Sequence, residues 1–96
     1  MKTLKEIEEI IRLHKPELKE KFKVKKIGIF GSYAKGEQKK KSDIDILVDF
    51  YEPVGWEFID LGEHIEQLLD LKVDLVTPQA LKRQIKESVL KEVVII

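Results

Sequence analysis

The chain has 96 residues, 43% apolar and 38% charged, with 18 basic residues balancing 18 acidic ones and no cysteine. That length supports one domain, residues 1–96, around a single modest core, and the missing thiols exclude disulfides and thiolate metal sites. No run of 18 apolar residues and no charged-then-apolar leader is present, so a soluble, cytoplasmic protein without membrane contact is expected.

Thr3-Leu4-Lys5-Glu6 reads as a capping box, and Leu4, Ile7, Ile10 and Ile11 recur at helical spacing, which predicts a helix over residues 4–14. Pro16 suits the first turn of a second short helix carrying Leu18 and Phe22. Val24 to Phe30 lacks a helical period and stops at Gly31-Ser32, as a strand does. Residues 36–42 are polar and lysine-rich, a loop, and Asp45 to Phe50 is a second strand closed by Glu52-Pro53. Phe58, Leu61, Ile65, Leu68 and Leu69 share one face of a helix over 55–69. Val73 to Val76 is a third strand. Thr77-Pro78 opens a last helix through Glu92, with Leu81, Ile85, Val89 and Leu90 as its buried stripe. Val93 to Ile96 either adds to the sheet or packs on another chain. The expected fold is α/β (α+β): a small three-stranded mixed sheet with helices on one side.

Charge is uneven along the chain. Ten lysines between Lys15 and Lys41 face three glutamates, a basic surface able to attract phosphates, although most such runs are only a solvated face. Sixteen lysines, twelve glutamates, twelve isoleucines and no asparagine match the composition of hyperthermophile proteins.

Chemistry concentrates in two stretches. Phe30-Gly31-Ser32-Tyr33-Ala34-Lys35-Gly36-Glu37 contains a Gly-Ser turn, in which backbone N–H groups and a hydroxyl can surround a phosphate because glycine permits close approach. Ser42-Asp43-Ile44-Asp45 follows. Aspartates at i and i+2 of a strand project from one face, roughly 6.5–7 Å apart, and can converge on hard cations. Ile44, Ile46, Val48 and Phe50 point to the opposite face. A bare Asp-x-Asp is more often the solvent side of a strand. Asp74 changes the balance: inside Val73-x-Leu75-Val76 a lone carboxylate is costly unless paired or metal-bound, and three carboxylates from neighbouring strands would repel without a cation. Phosphate cradle plus divalent-metal site reads as phosphoryl or nucleotidyl transfer. His14 and His64 lack ligand spacing and read as helix or surface residues. Trp56 and Phe58 read as core or interface packing ahead of base stacking, and Tyr33 as rim or core with equal weight.

Gly31-Ser32, ten intervening residues, Asp43-x-Asp45 and a later Asp74 together resemble the minimal nucleotidyltransferases of the DNA polymerase beta superfamily, over nearly the whole chain. Two departures stand out: Lys35 takes the place of the usual arginine, keeping charge but losing bidentate phosphate contact, and Asp70-Leu71 replaces a glycine-containing turn. The resemblance implies two Mg²⁺ ions on Asp43 and Asp45, with Asp74 sharing the second and serving as general base. It also implies ATP or another NTP held at Gly31, Ser32 and Lys35, with a further lysine among Lys39–Lys41. Minimal members of this family resemble antitoxins that pair with an all-helical HEPN toxin and add AMP to it, on a hydroxyl such as that of tyrosine, so the acceptor would arrive on that partner or on a second subunit of a homo-oligomer. No direct nucleic-acid binding is implied. The alternatives are a catalytically silent antitoxin and a small-molecule nucleotidyltransferase.

Overall fold

A computed structural model, which describes residues 2–96, runs α1 (Leu4–Phe22), β1 (Val24–Phe30), α2 (Ser32–Lys35), β2 (Ile44–Phe50), α3 (Trp56–Leu69), β3 (Val73–Val76), a 3-10 turn (Pro78–Ala80), α4 (Arg83–Glu92) and β4 (Val94–Ile95). The capping box forms as expected: Glu6 N–H donates to Thr3 Oγ1 at 3.2 Å, and Thr3 N–H to Glu6 Oε1 at 3.2 Å. The first two expected helices are one 19-residue helix that continues through Pro16. An interior proline costs about 3 kcal/mol. Here it lies on the exposed side, while Ile7 and Ile11 before it and Leu18 after it are fully buried. Burying each of those side chains contributes about 1.5–3 kcal/mol, so packing on both sides of the proline holds the helix together.

The sheet has four strands rather than three, in the order β3-β2-β1-β4. β1 and β2 are antiparallel, β2 and β3 parallel, and β4 antiparallel to β1, so the sheet is mixed. The apolar C-terminus therefore adds to the sheet: Ile95 lies opposite Gly28, Val94 opposite Ile29, and Ile96 N–H donates to the Ile27 carbonyl at 3.0 Å. Gly28 makes room for it, since a Cβ there would sit 2.7 Å from Val93 Cγ2 and 3.0 Å from the Val94 carbonyl oxygen.

One sheet face, built from Ile27, Ile29, Ile44, Ile46 and Val48, packs under α1 and α3, which contribute Ile7, Ile11, Leu18, Leu61, Ile65 and Leu69. The opposite face carries the half-buried Asp45 and Asp49 with buried Leu47 between them. Leu47 shares a small cleft with Pro78, Leu90 and Ile95, so the 3-10 turn and α4 reach over part of this face and leave the carboxylate end open. The last expected helix is interrupted: Leu81 and Lys82 are extended, and α4 starts only at Arg83. Val89 is buried, but Ile85 and Leu90 are about half exposed. The face they meet offers Leu47 and carboxylates rather than a continuous apolar surface. Among the described residues, no helix is long and apolar enough to cross a membrane.

Candidate active site

β1 ends at Phe30, and Gly31 then takes φ +73° and ψ −149° before the single turn of α2. This region of backbone space is essentially restricted to glycine. A Cβ at Gly31 would run into Oδ2 of Asp45 and lie 3.1 Å from its Cγ, so the missing side chain is what lets the turn pack against the carboxylate. α2 closes at Gly36, and Glu37 N–H donates to the Ser32 carbonyl at 2.9 Å. Ser32 is half-buried at the first position of α2. Tyr33 belongs to the core at 1% exposure, and its hydroxyl meets no hydrogen-bond partner among the described residues.

Strand register arranges the acids. Asp45 on β2 lies opposite Phe30 on one side and directly beside Asp74 of β3 on the other. Asp43 comes just before β2 and is exposed. Asp74 is exposed as well, so the cost expected for a lone carboxylate among apolar neighbours does not arise. Alternation along β3 turns Val73 and Leu75 toward the core and Asp74 to the open face. Burial is the main reason that the Asp45 carboxyl is pushed up to about 6; the Asp74 charge and hydrogen bond add to it, followed by the charges of Asp43 and Glu92. The expected cluster is looser than three converged ligands: among the described residues, no three acidic or histidine side chains form a ready-made metal cage. The close pair is Asp45 and Asp74, with Asp43 alongside on a chain segment not yet held in the strand.

Lysines stand beside Glu92 and Asp43. Lys35, the last residue of α2, is exposed and lies 3.4 Å from Glu92 Oε2. Lys40, Lys41 and Lys72 line a cleft of about 450 Å³ together with Ser42, Asp43, Asp70 and Leu71. A larger cleft of about 600 Å³ opens at the far end of β2 around Asp49, Tyr51, Val54 and Thr77, and contains none of the expected site residues. Of the expected acids and turn residues only Asp43 lines the smaller cleft, while Asp45, Asp74, Gly31, Ser32 and Lys35 line neither. Trp56 is 78% exposed and so does not pack in the core of the chain, whereas Phe58 makes an edge contact with Phe50 at 6.3 Å. His14 and His64 sit on helices; His14 Nδ1 lies 2.8 Å from the Ile10 carbonyl oxygen. Glu92 is the site-adjacent residue that the sequence did not reveal, since its partners Gly31 and Lys35 lie about sixty positions away and nothing in the local pattern marks it.

Residues 11–96 match the nucleotidyltransferase domain family model, and the chain belongs to that family. It is 56% identical over 95 residues to the protein adenylyltransferase MntA of Thermococcus cleftensis, covering 98% of this chain and 96% of that protein. Among solved structures, it resembles a minimal nucleotidyltransferase with TM-score 0.76 and 28% identity, covering 97% of this chain and 95% of the other. A toxin–antitoxin structure with AMP-PNP matches with TM-score 0.68 and 27% identity, over 96% of this chain and 70% of that one. The fold also recurs, at TM-score 0.59 and 24% identity over 96% and 66% of the two chains, in a complex of a tri-AMPylated Shewanella oneidensis HEPN toxin with its MNT antitoxin. The mixed α/β architecture of this chain is thus that of minimal nucleotidyltransferases, and the chain is a nucleotidyltransferase.

Proposed function

We propose that this chain is an antitoxin that transfers AMP from ATP to a hydroxyl, expected to be that of a tyrosine, on a partner HEPN toxin. The observation that carries this reading is the strand register that sets Asp45 beside Asp74 against the Gly31 turn. The similarity to a protein adenylyltransferase over the full chain supports it.

The donor set fits a hard divalent cation: all the ligands are carboxylate oxygens, and burial, with the neighbouring acids adding to it, already holds the Asp45 carboxyl well above its ordinary range. Asp43 and Asp45 would hold two Mg²⁺ ions, Asp74 sharing the one on the acceptor side. When bound, these ions neutralise the triphosphate and acidify the acceptor hydroxyl. Asp74, exposed on the open face, takes the proton from that hydroxyl. The acceptor hydroxyl oxygen forms a bond to the α-phosphorus of ATP while the bond from that phosphorus to the bridging oxygen of pyrophosphate breaks. The leaving pyrophosphate carries the negative charge, and Ser32 and the Lys35 ammonium hold it at the turn that Gly31 opens. Lys40, Lys41 and Lys72 add positive charge beside Asp43.

Asp43 and Asp74 both face solvent, and a domain of this size leaves one side of its site uncovered. A protein partner that brings its own hydroxyl fits that opening. The open spacing of the three acids favours a second reading, in which the protein neutralises its toxin by binding alone. Incubation with α-labelled ATP, Mg²⁺ and the cognate toxin separates the two. Label on a toxin tyrosine supports transfer; a stable complex with no label supports the silent antitoxin.

A further inference from the structure

Glu92, the last residue of α4, reaches back to the turn that starts the candidate nucleotide site. Its Oε1 accepts a hydrogen bond from Gly31 N–H at 3.1 Å, and its Oε2 lies 3.4 Å from Lys35 Nζ. The pairing of β4 explains the reach. Ile95 stands opposite Gly28 and Val94 opposite Ile29; the same register continued by two places sets Glu92 opposite Gly31. Ile27 already offers its carbonyl to Ile96 N–H on that edge, and in an antiparallel ladder every second residue presents its backbone to the same neighbour. Gly31 N–H therefore points to the edge that β4 would cover if it were longer. At Glu92 the chain is still helical, so the side chain makes the bond in place of the strand.

We propose that Glu92 is a positioning residue for nucleotide: it fixes the Gly31-Ser32 turn through the backbone and holds Lys35 beside it, making the end of α4 and β4 a working part of the site. An exposed ion pair alone contributes little. This carboxylate, however, also accepts from a partly buried backbone donor at a glycine whose conformation the turn requires, and hydrogen bonds to charged groups are the stronger kind. The inference rests on the reading of Gly31 and Ser32 as the phosphate turn.

The test compares wild type, Glu92→Gln, Glu92→Ala, Lys35→Met and the double variant Glu92→Gln/Lys35→Met. It measures affinity for Mg²⁺–AMP-PNP by calorimetry, the Gly31 amide resonance by ¹⁵N NMR, and melting temperature. Glu92→Ala is expected to weaken binding about tenfold or more and to move the Gly31 resonance. Glu92→Gln keeps an acceptor for Gly31, so the resonance stays near its wild-type position and the affinity falls only as far as in Lys35→Met. The double variant then loses no more than Lys35→Met alone. Unchanged affinity in Glu92→Ala with a lower melting temperature would reduce Glu92 to a brace, and tighter binding would make it a competitor of the triphosphate; either result overturns the proposal. Should Glu92→Ala fail to fold, independent losses in the Gln and Met variants overturn it equally. If the wild type binds no nucleotide, the phosphate-turn reading fails, and the role of Glu92 with it.

Discussion

The backbone of Gly31 and the carboxylate of Asp45 are packed as one unit: the space a Cβ would need at the turn is taken by Asp45 Oδ2. Turn and acid come from different segments, and they meet in the space that a side chain at Gly31 would fill. The glycine's positive φ and this contact are two separate reasons for the same residue choice.

Gly31→Ala should therefore damage the site more than the fold. That glycine-only backbone region disfavours a Cβ by about 1–3 kcal/mol, and the methyl group displaces Asp45 from its place beside Asp74. Expected is a fall in melting temperature of a few degrees and a loss of AMP transfer of at least tenfold. Thermal melts and labelled-ATP assays on the same samples check this. A variant with wild-type transfer would mean that Asp45 need not stay against the turn.

The Asp45 carboxyl titrates near 6 in the fold, against an ordinary value of 3.8. The folded state thus holds this proton more tightly than the unfolded chain does. The contribution to stability is complete below about pH 3.8 and is lost as pH rises through 6. In metal-free solution, the melting temperature of wild type relative to Asp45→Asn should fall between pH 4 and pH 7. The change is modest because Asp45 is only half-buried and solvent screens its neighbours. Mg²⁺ should recover the loss at pH 7 in wild type and do nothing for Asp45→Asn. Parallel pH profiles for the two proteins in EDTA would refute the raised Asp45 pKa.

A methyl group at Gly28 tests the fourth strand. Its Cβ would meet Val93 Cγ2 at 2.7 Å and Ile95 Cδ1 at 3.1 Å, and overpacking of this sort typically costs about 1–3 kcal/mol. Gly28→Ala should release β4 from β1, detectable as faster amide hydrogen exchange at Ile96, which donates to Ile27. Unaltered protection at Ile96 would show that the C-terminus holds its place without the glycine.

How far the sequence spoke depends on the range of the interaction. The strands, the capping box and the face occupied by Asp45 were legible because period and alternation are local. α1 was split at Pro16, because local chemistry argues for a break there, and only the burial of Ile7, Ile11 and Leu18 together overrides it. β4 has two residues, too few to show a period, and depends on a glycine 67 positions earlier. Asp74 reads as costly from its apolar neighbours, although alternation within β3 is enough to place it on the open face. Its nearness to Asp45 was legible only as a possibility, since parallel register is set by the whole sheet.

Asp74 offers the sharpest test of the mechanism, and burial has no part in the argument. Being exposed, it could remain as an ordinary surface acid at no cost. What singles it out is its register beside Asp45, whose raised pKa it helps to cause. If Asp74 only supports the cation site, Asp74→Asn should relieve repulsion, lower the Asp45 pKa and leave transfer measurable. If it takes the hydroxyl proton, nucleotide should still bind through Asp43 and Asp45, while transfer falls by the roughly 10²–10⁴-fold that general-base catalysis supplies. We expect the second result, because an acid on the open side of the site is where an acceptor carried by another protein must enter. Single-turnover transfer to the toxin at saturating Mg²⁺–ATP, wild type against Asp74→Asn, is the measurement. A loss below tenfold with unchanged nucleotide affinity would remove Asp74 from proton transfer and leave it a supporting charge.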